Sequence, residues 1–381
     1  MIIKKVKAWQ YAIPLRTPLI TAQSTIVKRR GLILRAETDD GLFGFGEIAP
    51  LDGFSRENLE EARRAVSAMR RRLEEQSIPR EPSALRASYL GRIDDRASLP
   101  SVPFGIEMLL ADLAAQAAGV NLARWCNPQA PDRVPVNAIL SGNLSEIKEQ
   151  LFRMLPRRYR AYKLKVGVES DARELEKIAC LRDTLGDSAG IRLDANRAFG
   201  FDRAVKFLAG IAQFKIEYIE EPLTPDQYNR LGDLRTNSLV PIALDESLSD
   251  RSLGKATWSL RERAIQLAER GAMDVAVVKP MLAGGICEVT ELARDLSQAN
   301  VRMVISSAIE TGVGLAAALH LAAAFMDATI PCGLDTLELL ADSLISGSLP
   351  VKNGNISVPT KPGLGITICD LDTDPHCSSV A

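Results

Sequence analysis

Ala161-Tyr-Lys-Leu-Lys-Val166, Gly190-Ile-Arg-Leu193, Ile216-Glu-Tyr-Ile219 and Pro241-Ile-Ala-Leu244 are short β-rich runs that end in polar residues, and a helical segment follows each one. The same unit precedes them at Val134–Leu140. It continues after them at Met273–Val278, Val301–Ile305 and, more weakly, Leu334–Leu339. Eight such strands at intervals of roughly 25–35 residues predict a parallel (β/α)8-type barrel, a modified TIM barrel, because a helix is the usual connection between parallel neighbours. A doubly wound open sheet would carry a Gly-rich phosphate loop after its first strand, and Leu140-Ser-Gly-Asn-Leu144 is not one.

Outward from this repeat the pattern changes. Ile2–Leu15 and Gly31–Thr38 read as strands, Asp39-Asp40-Gly41 as a hairpin turn and Leu42–Ile48 as the returning strand. Asn58–Gln76 has helical spacing at Leu59, Ala62, Val66, Met69 and Leu73. Ser77–Pro103 reads as loop or broken helix, and Gly105–Ala118 as helix again. The tail, with turns at Lys352-Asn-Gly-Asn and Pro362-Gly-Leu-Gly, reads as extended strands. The expected organisation is therefore an α+β capping domain over residues 1–125, to which 345–381 return, and a barrel over 126–344.

Composition narrows the class. The 381 residues are 46% hydrophobic and 25% charged, with 47 Lys+Arg against 48 Asp+Glu, the balance of a globular protein without the basic excess of a nucleic-acid or membrane-surface binder. Six cysteines show no CxxC spacing and read as reduced thiols of a cytoplasmic protein. Gly312–Met326, the most apolar stretch, is shorter than the ~20 residues of a membrane span and reads as a buried helix. Oligomeric state, monomer or homo-oligomer, is left open.

A barrel of this kind places its site where the strands end. Those ends carry Lys163 and Lys165, then Asp194 and Asn196, Glu220 and Glu221, Asp245 and Glu246, Lys279, and Ser306 and Ser307. Asp194, Glu220 and Asp245 would converge. Close carboxylates repel unless a cation lies among them, and an all-oxygen set favours Mg²⁺, with Mn²⁺ able to substitute. Lys163 and Lys165, two apart on one strand, point to the same side, where adjacent ammonium groups near a cation would lower each other's pKa toward that of a useful base. Lys279 would face them. This set suits proton abstraction beside the carboxylate of a small-molecule substrate.

The ordered motifs Lys163-x-Lys165, Asp194-x-Asn196, Glu220-Glu221-Pro, Asp245-Glu246-Ser and Lys279-Pro followed by Gly284-Gly285 resemble the muconate-lactonizing branch of the enolase superfamily. Gly46-Glu-Ile-Ala-Pro-Leu-Asp-Gly-Phe54-Ser55, Ser101-Val-Pro-Phe-Gly-Ile-Glu107, Ser306-Ser307-Ala-Ile-Glu310-Thr-Gly and Gly333-Leu-Asp335-Thr-Leu-Glu338-Leu are similar, within it, to o-succinylbenzoate synthases. The resemblance covers nearly the whole chain. It implies Lys165 as general base and then acid, Lys279 as stabiliser of an enediolate, and Lys163 as the group that tunes Lys165. It implies Asp194, Glu220 and Asp245 as Mg²⁺ ligands, surrounded by Asn196, Glu246, Glu221 and Arg192. Asn196, Ser306, Ser307, Glu310, Phe54 and Ser55 would meet the substrate, and loops around Thr21–Arg30 and Phe54-Ser55 would close over it. The implied reaction is dehydration of a succinyl-hydroxycyclohexadiene carboxylate in menaquinone or phylloquinone biosynthesis.

Taken singly, each motif has a plainer reading. A strand-end lysine is ordinarily solvated, and Asp, Glu and Ser commonly cap helices. Five in order, each at a strand end, are not so explained. His320 reads as packed and His376 as part of a mobile tail, so no His–Asp base pair is expected; Arg251–Arg270 reads as a solvated helix. The rival functions are dipeptide epimerase, N-succinylamino-acid racemase, muconate cycloisomerase and, from another class, a non-catalytic barrel. Dipeptide epimerases usually carry Asp-x-Asp at the eighth strand; Asp335-Thr-Leu-Glu338 departs from that.

Overall fold

The protein is described here by a computed structural model, which covers residues 1–20, 25–85, 99–250, 252–253, 255 and 257–380. Strands β1 (Ile3–Ile20), β2 (Thr25–Thr38) and β3 (Phe43–Ile48) form an antiparallel sheet. Asp39–Leu42 turns the last hairpin, with Gly41 at φ +85°, a conformation glycine adopts without a steric penalty. Helix α1 (Leu59–Leu73) starts at a reciprocal Asn58–Glu61 cap and buries Ala62, Val66, Met69 and Leu73 against the sheet.

Helix α2 (Ser101–Ala117) is buried along nearly its whole length and lies between cap and barrel. It crosses β3 where both elements carry glycine: a Cβ on Gly46 would stand 2.0 Å from the Gly105 carbonyl oxygen. Short α3 (Leu122–Cys126) follows. Of the expected loop Ser77–Pro103, residues 86–98 lie outside the described residues, and its last three residues already belong to α2.

The barrel begins with β4 (Arg133–Pro135) and β5 (Asn137–Leu140), which divide the single run expected there. Then come α4 (Leu144–Met154), β6 (Ala161–Lys165), α5 (Asp171–Leu185), β7 (Gly190–Asp194), α6 (Phe201–Ile211), β8 (Ile216–Glu220), α7 (Leu231–Thr236) and β9 (Ile242–Leu244). They are followed by α8 (Glu246–Ser249), α9 (Leu260–Glu269), β10 (Val275–Val278), α10 (Pro280–Ala283), α11 (Ile286–Gln298), β11 (Arg302–Ile305) and α12 (Gly312–Phe325). Strands β5 to β11 form one parallel seven-stranded sheet in sequence order. Its closure corrects the expected eighth strand. Leu337–Leu339 is a 3₁₀ turn, and the link between the sheet's edges is the pair Cys332–Gly333, which bridges Val136 on one side and Ser306 on the other. Likewise, only Leu260–Glu269 of the expected helix Arg251–Arg270 is helical, and residues 251, 254 and 256 lie outside the described ones.

Tyr218, Ala243, Val275, Val277 and Val304 form an apolar cluster separate from the main core. Two residues on from four of them stand Glu220, Asp245, Lys279 and Ser306. The period of two along a strand thus stacks the polar mouth one layer above an apolar plug. The tail adds β12 (Val351–Lys352), β13 (Asn355–Ser357) and β14 (Cys377–Val380). Strand β13 pairs with β4 and β14 with β1; the His376 carbonyl accepts from Ala12 N–H, so the tail is paired there rather than free. His320 is buried within α12, accepting from Ala123 N–H through Nδ1, with Nε2 3.1 Å from the Leu364 carbonyl. Among the described residues, no helix is long and apolar enough to cross a membrane.

Candidate active site

Register across the parallel sheet sets Lys165 beside Asp194 and Asp194 beside Glu220. Lys163 Nζ lies 2.9 Å from Asp194 Oδ2 and 2.7 Å from Glu220 Oε1. Burial works to lower the Lys163 pKa, but the Asp194 and Glu220 carboxylates outweigh it and hold the group well above its ordinary value. Lys163 is a fixed cation among carboxylates. Burial opposes ionisation of Asp194, yet Lys163 and Lys165 together pull its pKa below the usual range.

Glu220, Asp245 and Glu246 each offer a carboxylate oxygen, and these atoms lie within 4.8 Å of one another. Glu246, expected around the metal, is therefore within reach of the same ion, whereas Asp194 turns Oδ2 to Lys163. Glu220 Oε2 and Glu246 Oε2 are buried without a hydrogen-bond partner. Burial, then the neighbouring Asp245, Glu221 and Asp194, push the Glu246 pKa up to about 8. Two orphaned buried carboxylate oxygens in an all-oxygen cluster fit a hard divalent cation, which would supply the missing charge. Lys279, next after β10, bonds to Asp245 Oδ2, and its ammonium lies 5.7 Å from the centre of the Phe54 ring. Burial opposes its charge, while Asp245, Glu246 and Glu220 raise its pKa overall.

The surrounding residues divide by what they touch. Asn196 donates its backbone N–H to Asp194 Oδ1 and its side-chain amide to Glu246 Oε1. Glu221 accepts from the backbone N–H groups of Asp245 and Ser247 and from the Ser247 hydroxyl, so it holds the turn that presents Asp245 and Glu246. Arg192 is different. It stands two residues before Asp194 and so one layer deeper, bonded to Glu217, Asn137 and the Pro331 carbonyl over the Tyr218 ring. It is a brace of the barrel interior and makes no bond to the acidic cluster.

The expected substrate residues also part company. Phe54 reaches Lys279, but Ser55 accepts from Leu51 N–H and closes the loop on itself. Ser306 stands at the rim, its hydroxyl 3.4 Å from the Gly333 carbonyl. Ser307 donates to Glu310 at 2.5 Å and accepts from Ile309 N–H and from Thr336. Both Ser307 and Glu310 are buried; the Ser307 hydroxyl and the Ala308 N–H hold Glu310 Oε2, while Glu310 Oε1 is buried without a hydrogen-bond partner. Asp335 bonds to Tyr159 and Glu338 to Arg157. Of the expected closing loops, Thr21–Ser24 lies outside the described residues and Thr25–Arg30 belongs to β2.

Sequence reasoning missed the residues that join cap to barrel. Glu47, on β3, accepts from Tyr11, from the Thr311 backbone and hydroxyl, and from Gly314 N–H at the start of α12. Glu107, on α2, accepts from Cys287 N–H at the start of α11. The available signal was an acidic residue inside an otherwise apolar element, at Phe43–Ile48 and Val102–Leu110.

A capped parallel barrel with an acidic, cation-fitting cluster between lysines on opposite strands is the architecture of a barrel enzyme. Comparison with known proteins gives the family. Residues 146–372 match the family described as enolase C-terminal domain-like, and residues 3–113 the one described as MenC, N-terminal domain. The chain belongs to the enolase superfamily, in its muconate-lactonizing branch. It is 30% identical to the o-succinylbenzoate synthase of Pectobacterium atrosepticum, over 90% of this chain and 93% of that protein. It is 27% identical to the chloromuconate cycloisomerase CbnB of Cupriavidus necator, over 95% and 94% of the two chains. The L-Ala-D/L-Glu epimerase of Bacillus subtilis superposes with a TM-score of 0.83 at 25% identity, covering 97% of this chain and all of that one.

Proposed function

We propose that the protein is an o-succinylbenzoate synthase, converting 2-succinyl-6-hydroxy-2,4-cyclohexadiene-1-carboxylate to o-succinylbenzoate and water. The observation that carries this reading is the joining of a MenC-type cap to a barrel whose lysines face each other across the acidic cluster. Strands β6 and β10 are separated by three strands in the sheet, so Lys165 and Lys279 stand across the ring from each other.

In this reading Lys165 takes the proton from the carbon that bears the carboxylate, leaving an enediolate. The ring C–O bond then breaks, the new double bond completes the aromatic ring, and Lys165 returns its proton to the departing hydroxide. Lys279 stabilises the anion by charge from the opposite face. Asp194, Glu220 and Asp245, with Glu246 in reach, would hold Mg²⁺, which when bound supplies positive charge at the substrate carboxylate. Lys163 and Glu221 fix the acidic cluster, and Phe54 covers the mouth and excludes water. Ser306 and the backbone beside it are the groups placed to meet the succinyl end.

The epimerase likeness supports a second reading in which the same lysines exchange an α-proton without elimination. Against a dipeptide substrate stands the sequence Asp335-Thr-Leu-Glu338, which departs from the Asp-x-Asp of dipeptide epimerases, and Asp335 Oδ2 already accepts from Tyr159. An N-succinylamino acid has no such requirement and remains the alternative substrate. Following the dehydration by ultraviolet absorbance, with Mg²⁺, in wild type, Lys165→Ala and metal-free protein separates these. Turnover in wild type alone supports the synthase. An inactive wild type at saturating Mg²⁺ overturns it, and exchange of the α-proton of N-succinylamino acids with D₂O then tests the racemase.

A further inference from the structure

Arg29 lies on β2 opposite Ile13, and its side chain is buried. Its guanidinium donates to four carbonyls: Ile309 at 3.0 Å, Arg30 at 3.0 Å, Pro50 at 2.7 Å, and Ala49. Among the described residues no carboxylate pairs with it. A buried cation is tolerated only where its donors are met, and these acceptors come from separate segments. Ala49 and Pro50 open the cap loop whose Phe54 lies against Lys279. Ile309 belongs to the barrel loop that begins at Ser306.

That barrel loop is strained. Ile309 has φ +61°, the left-handed region that a β-branched residue rarely enters and that persists only where surroundings over-determine it. Here they do. Its N–H is held by Ser307, its carbonyl by Arg29, and the Thr311 N–H two residues on by Glu47. Two of the three holders are cap residues.

We infer that Arg29 is a positioning residue that locks the cap loop Ala49–Ser55 and the barrel loop Ser306–Thr311 into one unit, so that the two sides of the mouth are ordered together. The planar fork is what reaches several segments at once, so lysine, which keeps the charge but is a single point donor, does not replace it. The activity part of the test rests on the synthase reading; the exchange part does not.

Hydrogen–deuterium exchange on ligand-free protein is the direct test. In Arg29→Lys, amides of both 49–55 and 306–311 are expected to exchange about tenfold faster together, with those of β1 unchanged. With the cyclohexadiene carboxylate as substrate, KM rises about tenfold while kcat changes much less, because ordering of the free site is lost rather than the reacting groups. Lys5→Gln, at an exposed position on β1, behaves as wild type. Loosening of one loop alone, or an unchanged KM, overturns the inference. Should Arg29→Lys not fold, Ile309→Gly perturbs the barrel end with Arg29 intact. Faster exchange in 49–55 as well as 306–311 then supports the lock, and an unchanged 49–55 overturns it. If wild type does not turn over this substrate, the synthase reading fails and the exchange result still decides this one.

Discussion

The mouth of the barrel has two unlike halves. From β6 to β9 its side chains bond to one another: Lys163 to Asp194 and Glu220, Asn196 to Glu246, Glu221 to the turn at Asp245. From β10 to the closing strand, the bonds cross to the cap: Glu107 to Cys287, Glu47 to Thr311 and Gly314, Arg29 to Ile309. The first half is made by neighbouring βα units and concentrates charge. The second is bonded to the cap through carboxylates set on the N-terminal N–H groups of α11 and α12, where helix ends favour negative charge. Charge is thus concentrated on one side of the ring and much of the cap joint on the other, with Lys279, bonded to Asp245, and Arg56, bonded to the Ser249 carbonyl, linking them, and substitutions should separate the two.

The sharpest separation is expected from Lys165→Ala. On the proposed reading it removes the general base and lowers kcat by about 10³-fold, and thermal unfolding stays near that of wild type because Lys165 lies in the half bonded within itself. A melt shifted as far as that of a cap-joint variant would break the division.

His320 probes the opposite side. Burial holds its pKa down to about 4, against about 6.5 in an unfolded chain. The folded protein keeps His320 neutral while the unfolded chain takes up a proton below pH 6.5. Its contribution is therefore fully present above pH 6.5 and lost as pH falls toward 4. The difference corresponds to about 3 kcal/mol. Denaturant unfolding from pH 7 to pH 4 should lose that amount more in wild type than in His320→Gln.

Glu221→Gln sharpens the first half. The amide keeps one acceptor for the Asp245 and Ser247 N–H groups but loses the charge facing Arg197. Mg²⁺ affinity, measured by calorimetry, should fall about 10- to 100-fold, as when outer partners of metal ligands are changed. Gly46→Ala sharpens the second. Its Cβ would meet the Gly105 carbonyl, which is backbone and cannot swing aside, so unfolding free energy should drop by about 1–3 kcal/mol with Mg²⁺ affinity unaltered. The smallest effect is Glu338→Gln. Its ion pair with Arg157 has an exposed carboxylate, worth at most about 1 kcal/mol, and turnover should not change.

The lysines and carboxylates were legible because a barrel repeats. Each βα unit ends at the same level, so motifs one unit apart in the chain are neighbours in space. The eighth strand was not. Leu334–Leu339 has the apolar, β-rich look of a strand, but closure is made by Cys332–Gly333, too short to carry any periodicity. Gly333 is there because a side chain would meet Ser306 Oγ at 2.6 Å. Ser307 and Glu310 sit at a strand end and so read as ligand groups. Only their contacts reveal that Ser307 holds one carboxylate oxygen of Glu310 and leaves the other without a partner. The segments that most resembled o-succinylbenzoate synthases, around Glu47, Glu107 and Glu310, include the cap–barrel joint.

By itself the sequence determined what local rules govern: alternating strand and helix, the helical spacing of Asn58–Gln76, and the identity and order of the polar strand ends. These depend on the nearest few residues, through backbone preference and the periods of strand and helix. The tertiary structure alone decided that Glu246 joins Glu220 and Asp245, that Lys163 is pinned as a cation, and that Arg192 lies a layer below. It also decided that Glu47 and Arg29 reach partners 264 and 280 residues away. Such pairings follow from which surfaces pack together, and no local pattern records a contact formed by burying two distant segments against each other.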